Sequence, residues 1–149
     1  MIEELTLTLS AMFFSAQSEE FDAGMHYAFY DELHAFVSEH GRDAIREIMH
    51  LIMDGTVIIR VLCPTLRELG RIDDTPTKGA RFILLTAMLY HDRPEVRDSA
   101  SQGLLDMEDA RAISYLDEAI EDEQYEFLRD SFAHVRDYLA RCAAVQVAA

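Results

Sequence analysis

At 149 residues the chain has the size of one domain, long enough to bury roughly 68–70% of the surface that its unfolded form exposes. Half of its residues are hydrophobic and its mean hydropathy is −0.05, which sets it apart from disordered chains and from chains that live in a bilayer. Thirteen Lys and Arg against 28 Asp and Glu leave a net charge of −15, so a phosphate backbone would be repelled and direct nucleic-acid binding is disfavoured.

The first segment, Met1 to Ala16, opens with Glu3 and Glu4 where a signal peptide would carry Lys or Arg, and reads as the first structural element of a cytoplasmic protein. Within it Leu and Thr alternate from Leu5 to Leu9, a pattern compatible with a short strand or an irregular start. Residues 19–40 read as one helix. Phe21, Phe29 and Phe36 fit its spacing and are expected in the core, while Tyr27 and Tyr30 fall on another face and are candidate partner anchors, since Tyr is enriched at interface hot spots.

Gly41 then punctuates the chain, and Ile45, Ile48, Leu51 and Ile52 form the apolar stripe of the next helix, which ends at Asp54 and Gly55. A further helix spans about 56–70, with Pro64 inside it. The missing N–H should kink that helix or shift its start. After a long link at 72–78 a helix runs to Asp92, and others cover 94–107, about 110–122 (with Ile113, Leu116, Ala119 and Ile120 as its stripe) and 124–141. Met49, Met53, Met88 and Met107 read as core filler. No stretch approaches the ~20 uncharged apolar residues that span a bilayer, so no membrane role is expected.

The chain repeats itself. Arg42-Asp43-Ala44-Ile45 resembles Ala110-Arg111-Ala112-Ile113, and both Ile45 to Ile113 and Asp54 to Asp122 are separated by 68 positions. A third unit ending at Asp92 lies between, giving an average repeat of 34 residues, the length of a helical hairpin. Each of these Asp residues precedes an apolar-Arg pair in the next helix: Ile59-Arg60, Val96-Arg97 and Leu128-Arg129. An acid in the turn can accept bonds from helix N-terminal amides and from the Arg fork, tying the hairpin together.

On these residues, and above all on Asp92-Arg93-Pro94-Glu95-Val96-Arg97-Asp98-Ser99-Ala100 continuing through Leu104 and Met107 to Ile113, the chain resembles the HEAT-repeat family, including the short bacterial variants of phycobilisome-lyase type. The resemblance implies an all-α fold, a right-handed solenoid of about four hairpins and eight helices: a capping unit at 1–41, repeats at 42–71, 76–108 and 109–141, and a tail at 142–149 that is weakly capping or disordered. It further implies that the second helix of each pair lines the binding surface, with Glu68, Asp98, Gln102, Asp130, His134 and Asp137 pointing outward as an acidic groove.

For chemistry the sequence offers little. Asp31-x-x-His34 and Glu47-x-x-His50 have the i, i+3 carboxylate-imidazole spacing of di-iron bundles, but the supporting glutamates are missing and 28 acids with six histidines produce such pairs by chance, so no metal site is expected. Cys63 and Cys142 read as two buried thiols without a disulfide, and the apolar neighbours of Cys63 should raise its pKa and leave it inert. No phosphate loop, Gly-x-Ser-x-Gly or His-Glu-x-x-His is present, and neither catalytic residues nor a cofactor are assigned.

The expectation is therefore a non-enzymatic module whose acidic surface binds a basic protein, because complementary potentials speed encounter. An inhibitor or immunity protein that masks a basic toxin such as a nuclease would have this size and charge. The alternatives are an enzyme or cofactor-handling protein of the lyase-type HEAT kind, or a structural adaptor.

Overall fold

A computed structural model describes residues 2–148. They form eight α-helices: α1 (Ile2–Ala16), α2 (Ala28–His40), α3 (Arg42–Met53), α4 (Ile59–Arg71), α5 (Lys78–Met88), α6 (Pro94–Met107), α7 (Ala112–Asp122) and α8 (Glu126–Ala148), with a 3-10 turn at Thr75–Thr77. The described residues contain no strand, so the chain is all-α. None of these helices is long and apolar enough to cross a membrane.

The alternation at Leu5 to Leu9 does not make a strand. Leu9, Met12, Phe13 and Ala16 are buried at intervals of three and four, and this longer helical register overrides the local one. Nor does one helix cover 19–40, because α2 begins only at Ala28. Gly24 takes φ +79°, a conformation that ends regular structure cheaply only in glycine, and the Phe21 ring packs on Tyr27, Phe29 and Tyr30 at 4.9, 5.8 and 5.9 Å. The Tyr27 hydroxyl donates to the Glu20 carbonyl and accepts from the Asp22 amide at 2.7 Å, giving the non-helical backbone the partners that a helix would have supplied.

Pro64 lies inside α4, which starts well before it at Ile59 and continues to Arg71, so the proline does not set the start of the helix. Gly70 stands one residue before the end of α4, where the helix was expected to stop, and also makes a contact. A Cβ there would fall 2.1 Å from the Gly103 carbonyl oxygen, and one on Gly103 would fall 2.6 Å from that of Leu66. The two glycines let the backbones of α4 and α6 touch, and these two helices form the most extensive packing in the molecule. Next along, α6 packs on α5 and α8, and α7 on α8; at the other end α3 joins α1, α2 and α5. Leu66, Leu69, Leu85, Leu104, Leu116 and Phe132 are fully buried along this run.

The link at 72–78 is ordered by Arg81. Only 2% exposed, its guanidinium donates to the carbonyls of Leu69 (2.8 Å) and Asp74 (2.9 Å) and to the Thr77 hydroxyl (3.0 Å). Burial pushes its pKa below the usual arginine value, with Asp74 and Asp73 opposing that shift.

The repeated arginines also act differently from expectation. Arg97 donates to the carbonyls of His91 (2.9 Å) and Asp92 (3.1 Å), and Arg129 to those of Glu123 (2.8 Å) and Gln124 (3.0 Å). Both reach back to the backbone six and five positions earlier. The carbonyls after α5 and α7 have no helical partner, and the guanidinium supplies one. The carboxylates of Asp92 and Asp122 receive none of these bonds; Asp54 alone behaves as an acid in a turn, accepting from the Thr56 amide at 3.2 Å. Arg60 in turn bonds the Gln17 carbonyl at 2.8 Å.

Two further expectations change. Met88 and Met107 are buried and Met49 half-buried, but Met53 is 71% exposed at the end of α3. The residues expected as a separate tail continue α8 to Ala148, since the Ala-rich run holds no Gly or Pro to stop it. Met1 and Ala149 lie outside the described residues.

Candidate partner-binding face

Because α4, α6 and α8 lie side by side, residues spaced by four along them meet across the helices. Arg67 donates to the Ser99 hydroxyl at 3.0 Å, Arg71 to Asp106 at 3.1 Å, and Ser131 to Asp98 at 2.9 Å. On the far side of α4, His34 of α2 sits 2.8 Å from Glu68. One polar ladder thus runs from α2 to α8.

Glu68 is not an outward residue: it is 7% exposed and engaged by His34 and, at 3.5 Å, by Arg71. It sits under the ladder because the close α4–α6 approach buries its flank of α4. Asp98 and Gln102 are half-buried on α6, one turn apart, with Asp106 one turn further. Asp130, His134 and Asp137 are exposed on α8 at i, i+4 and i+7, Asp137 accepting from its neighbour Arg136 at 3.1 Å. Five of the six outward positions therefore retain access to solvent on α6 and α8.

Tyr27 and Tyr30 are half-buried within the aromatic knot before α2, their rings 5.6 Å apart, and serve the fold there first. Burial raises the Tyr30 pKa, and the charge of Glu68 adds to the shift. His26 is raised by its hydrogen bond to Asp31 at 2.9 Å.

The two metal-like pairs do not converge. Asp31 holds His26 and His34 holds Glu68, while Glu47 accepts from the Thr6 hydroxyl at 2.7 Å with His50 3.7 Å away. Among the described residues no three His, Cys, Asp or Glu side chains are grouped to hold a metal ion. Cys63 and Cys142 are free and half-buried, and burial raises the Cys63 thiol, partly opposed by its hydrogen bond with Ser99.

Two recesses interrupt the face where α6 and α8 begin. One, of about 320 Å³, is lined by Cys63, Arg67, Pro94, Glu95, Ser99 and Phe127. The other, of about 300 Å³, lies between the α5–α6 and α7–α8 turns, with Tyr90, Asp92, Arg97, Asp122, Glu123 and Tyr125 in its wall. Its floor is the Arg97–Glu123 ion pair (2.8 Å), whose side chains are 13% and 4% exposed. The Arg97 guanidinium carbon also stands 5.9 Å from the Tyr125 ring centre. Tyr125 and Phe127, 6.0 Å apart, border the two recesses.

Phe127 (62% exposed), Tyr125 (49%) and Tyr90 (47%) went unnoticed in the sequence. Their signal was an aromatic pair set among Glu123, Gln124 and Glu126, off the apolar stripe of α8. No protein family, curated protein or solved structure was found to match the chain.

Proposed function

We propose that this chain is a protein-binding module built as a short right-handed solenoid of four HEAT-like hairpins, and that it docks a basic protein on the face of α4, α6 and α8. The observation that carries this reading is the lateral packing of those three helices with their polar stripes in register. Stacked hairpins expose one such continuous surface, and in repeat proteins that surface is the usual binding site. The helices α5 and α6, and α7 and α8, pack on each other within the units at 76–108 and 109–141, with α8 running on to Ala148, while α3 and α4 fall within 42–71 and α3 packs on α1, α2 and α5; the common use of Arg97 and Arg129 on the preceding turn supports the repeat.

The partner's charge follows from the net −15 and from Asp130, His134 and Asp137 standing open to solvent on α8. A basic toxin such as a nuclease, masked by this face, is the partner class that the size and charge favour, the chain then acting as its inhibitor. The test is capture of binding proteins at low and high salt, by the natural chain and by a variant carrying Asp130→Lys and Asp137→Lys. The proposal expects a stoichiometric basic protein, retained at low salt, released at high salt and lost with the variant. A partner held equally by both forms would overturn the choice of face, and a partner held regardless of salt would overturn the electrostatic argument.

A further inference from the structure

The acids of the turns within the repeat units were expected to hold the repeated arginines, yet Asp92 and Asp122 make no side-chain hydrogen bond or ion pair among the described residues. Both line the same recess of about 300 Å³, together with Tyr90 and Tyr125. We propose that this cleft is a subsite for one arginine side chain of the basic partner, stacked against Tyr90 and Tyr125 and paired with Asp122 and Asp92. The inference rests on the reading of the chain as a module for basic proteins and names the side chain that it recognises.

Three features converge on a guanidinium. First, the cleft already accommodates one: Arg97 lies at its floor, bonded to turn carbonyls and to both Glu123 oxygens, with its guanidinium beside the Tyr125 ring. That contact satisfies Arg97 and Glu123 with each other, so neither is free for a ligand, and what remains available is acidic and aromatic. Secondly, the turns that follow α5 and α7 both line the cleft and carry Asp92 and Asp122, so two carboxylates without a partner among the described residues border one recess. Thirdly, Tyr90 and Tyr125 are each about half exposed beside the cleft, and a planar guanidinium stacks on an aromatic ring better than a hydrated ammonium does. Glu118, one helical turn before Asp122 and close enough to act on the Tyr90 phenol, adds to the negative potential.

The test uses the full chain and a capped tetra-arginine peptide, followed by amide NMR shifts in low-salt buffer, with tetra-citrulline as the uncharged isostere and tetra-lysine as the compact cation. The proposal expects tetra-arginine to shift the amides of residues 89–92 and 119–125, tetra-lysine to bind more weakly, and tetra-citrulline to shift nothing. Tyr90→Leu should weaken tetra-arginine about two- to five-fold, the range of an exposed cation–π contact. Asp122→Asn should weaken it by a similar factor, and neither change touches the Arg97–Glu123 pair. If tetra-arginine shifts only α8 amides around Asp130 and Asp137, the cleft proposal is overturned while the basic-partner reading stands. If it shifts none, both fall.

Discussion

Replacing Gly70 by alanine puts a methyl group 2.1 Å from the carbonyl oxygen of Gly103, well inside any contact that a real Cβ makes. The obstacle is backbone, so no rotamer change relieves it, and α4 must move away from α6 by about 1 Å along the most extensive interface in the molecule. Overpacking of this kind costs about 1–3 kcal/mol, and a clash with a main chain belongs near the top of that range. Against this stands a helix-propensity gain of at most about 1 kcal/mol, the helix-interior value for Gly→Ala, since Gly70 is the penultimate residue of α4. The net expectation is a loss of about 2 kcal/mol, which for a chain of this length lowers Tm by about 4–8 °C. Gly79→Ala is the matched control: nothing lies within 4 Å of its Cβ position in the first turn of α5, so the variant should be as stable as the natural chain or slightly more so. Thermal and urea unfolding followed by circular dichroism at the helix band compare the two. A Gly70→Ala chain that melts with or above the natural one would refute the close α4–α6 approach.

Other expectations follow from single contacts. Glu123→Gln leaves Arg97 facing a neutral amide in a pair that is almost fully buried, and should cost about 3 kcal/mol in urea unfolding, since breaking a buried pair costs ~3–5 kcal/mol and the amide recovers part of one bond. Arg81→Met removes the donors for the Leu69 and Asp74 carbonyls, and should destabilise by about 2–4 kcal/mol; hydrogen exchange should rise first at 72–78. Alkaline titration of the tyrosinate band should show a step near pH 12 from Tyr138, whose pKa is pushed up to about 12 by its hydrogen bond to Glu108, and Tyr138→Phe should remove that step. The sign for stability follows: folded Tyr138 holds its proton above the unfolded value near 10, so its contribution is complete below pH 10 and is lost as pH rises towards 12. Cys63, raised by burial, should react slowly with thiol reagents near neutral pH until the chain unfolds.

Periodicity carried most of the architecture. Apolar residues at three and four marked α3 and α7, and the punctuation by glycine and proline with the 68-residue self-similarity divided the rest of the chain into helix-length pieces. What periodicity could not carry was set by side chains that act on backbone across the chain. Nothing in a run of helix-forming residues after Glu19 announces that the Tyr27 hydroxyl will satisfy Glu20 and Asp22 and hold that run out of the helix. Gly70 stands near the end of α4 as its letter suggests, but that it also admits another helix against its Cα shows only in its partner Gly103.

The face itself was half legible. The positions that the resemblance implied on α8, Asp130, His134 and Asp137, are exposed, whereas Glu68, implied in the same way on α4, is buried and engaged by His34 and Arg71. Asp92 and Asp122 were noticed for their repetition and given the wrong bond, because the pattern pairs an acid with an arginine while the turn offers that arginine two unpaired carbonyls.

The measurement that bears most directly on the account is the salt dependence of partner binding through the α8 acids: affinity of the captured basic protein for the natural chain and for the Asp130→Lys, Asp137→Lys variant, at low and at physiological ionic strength. The account predicts tight binding that weakens as salt rises and a much larger loss for the variant at low salt than at high. Equal affinities for the two chains at both ionic strengths would contradict it.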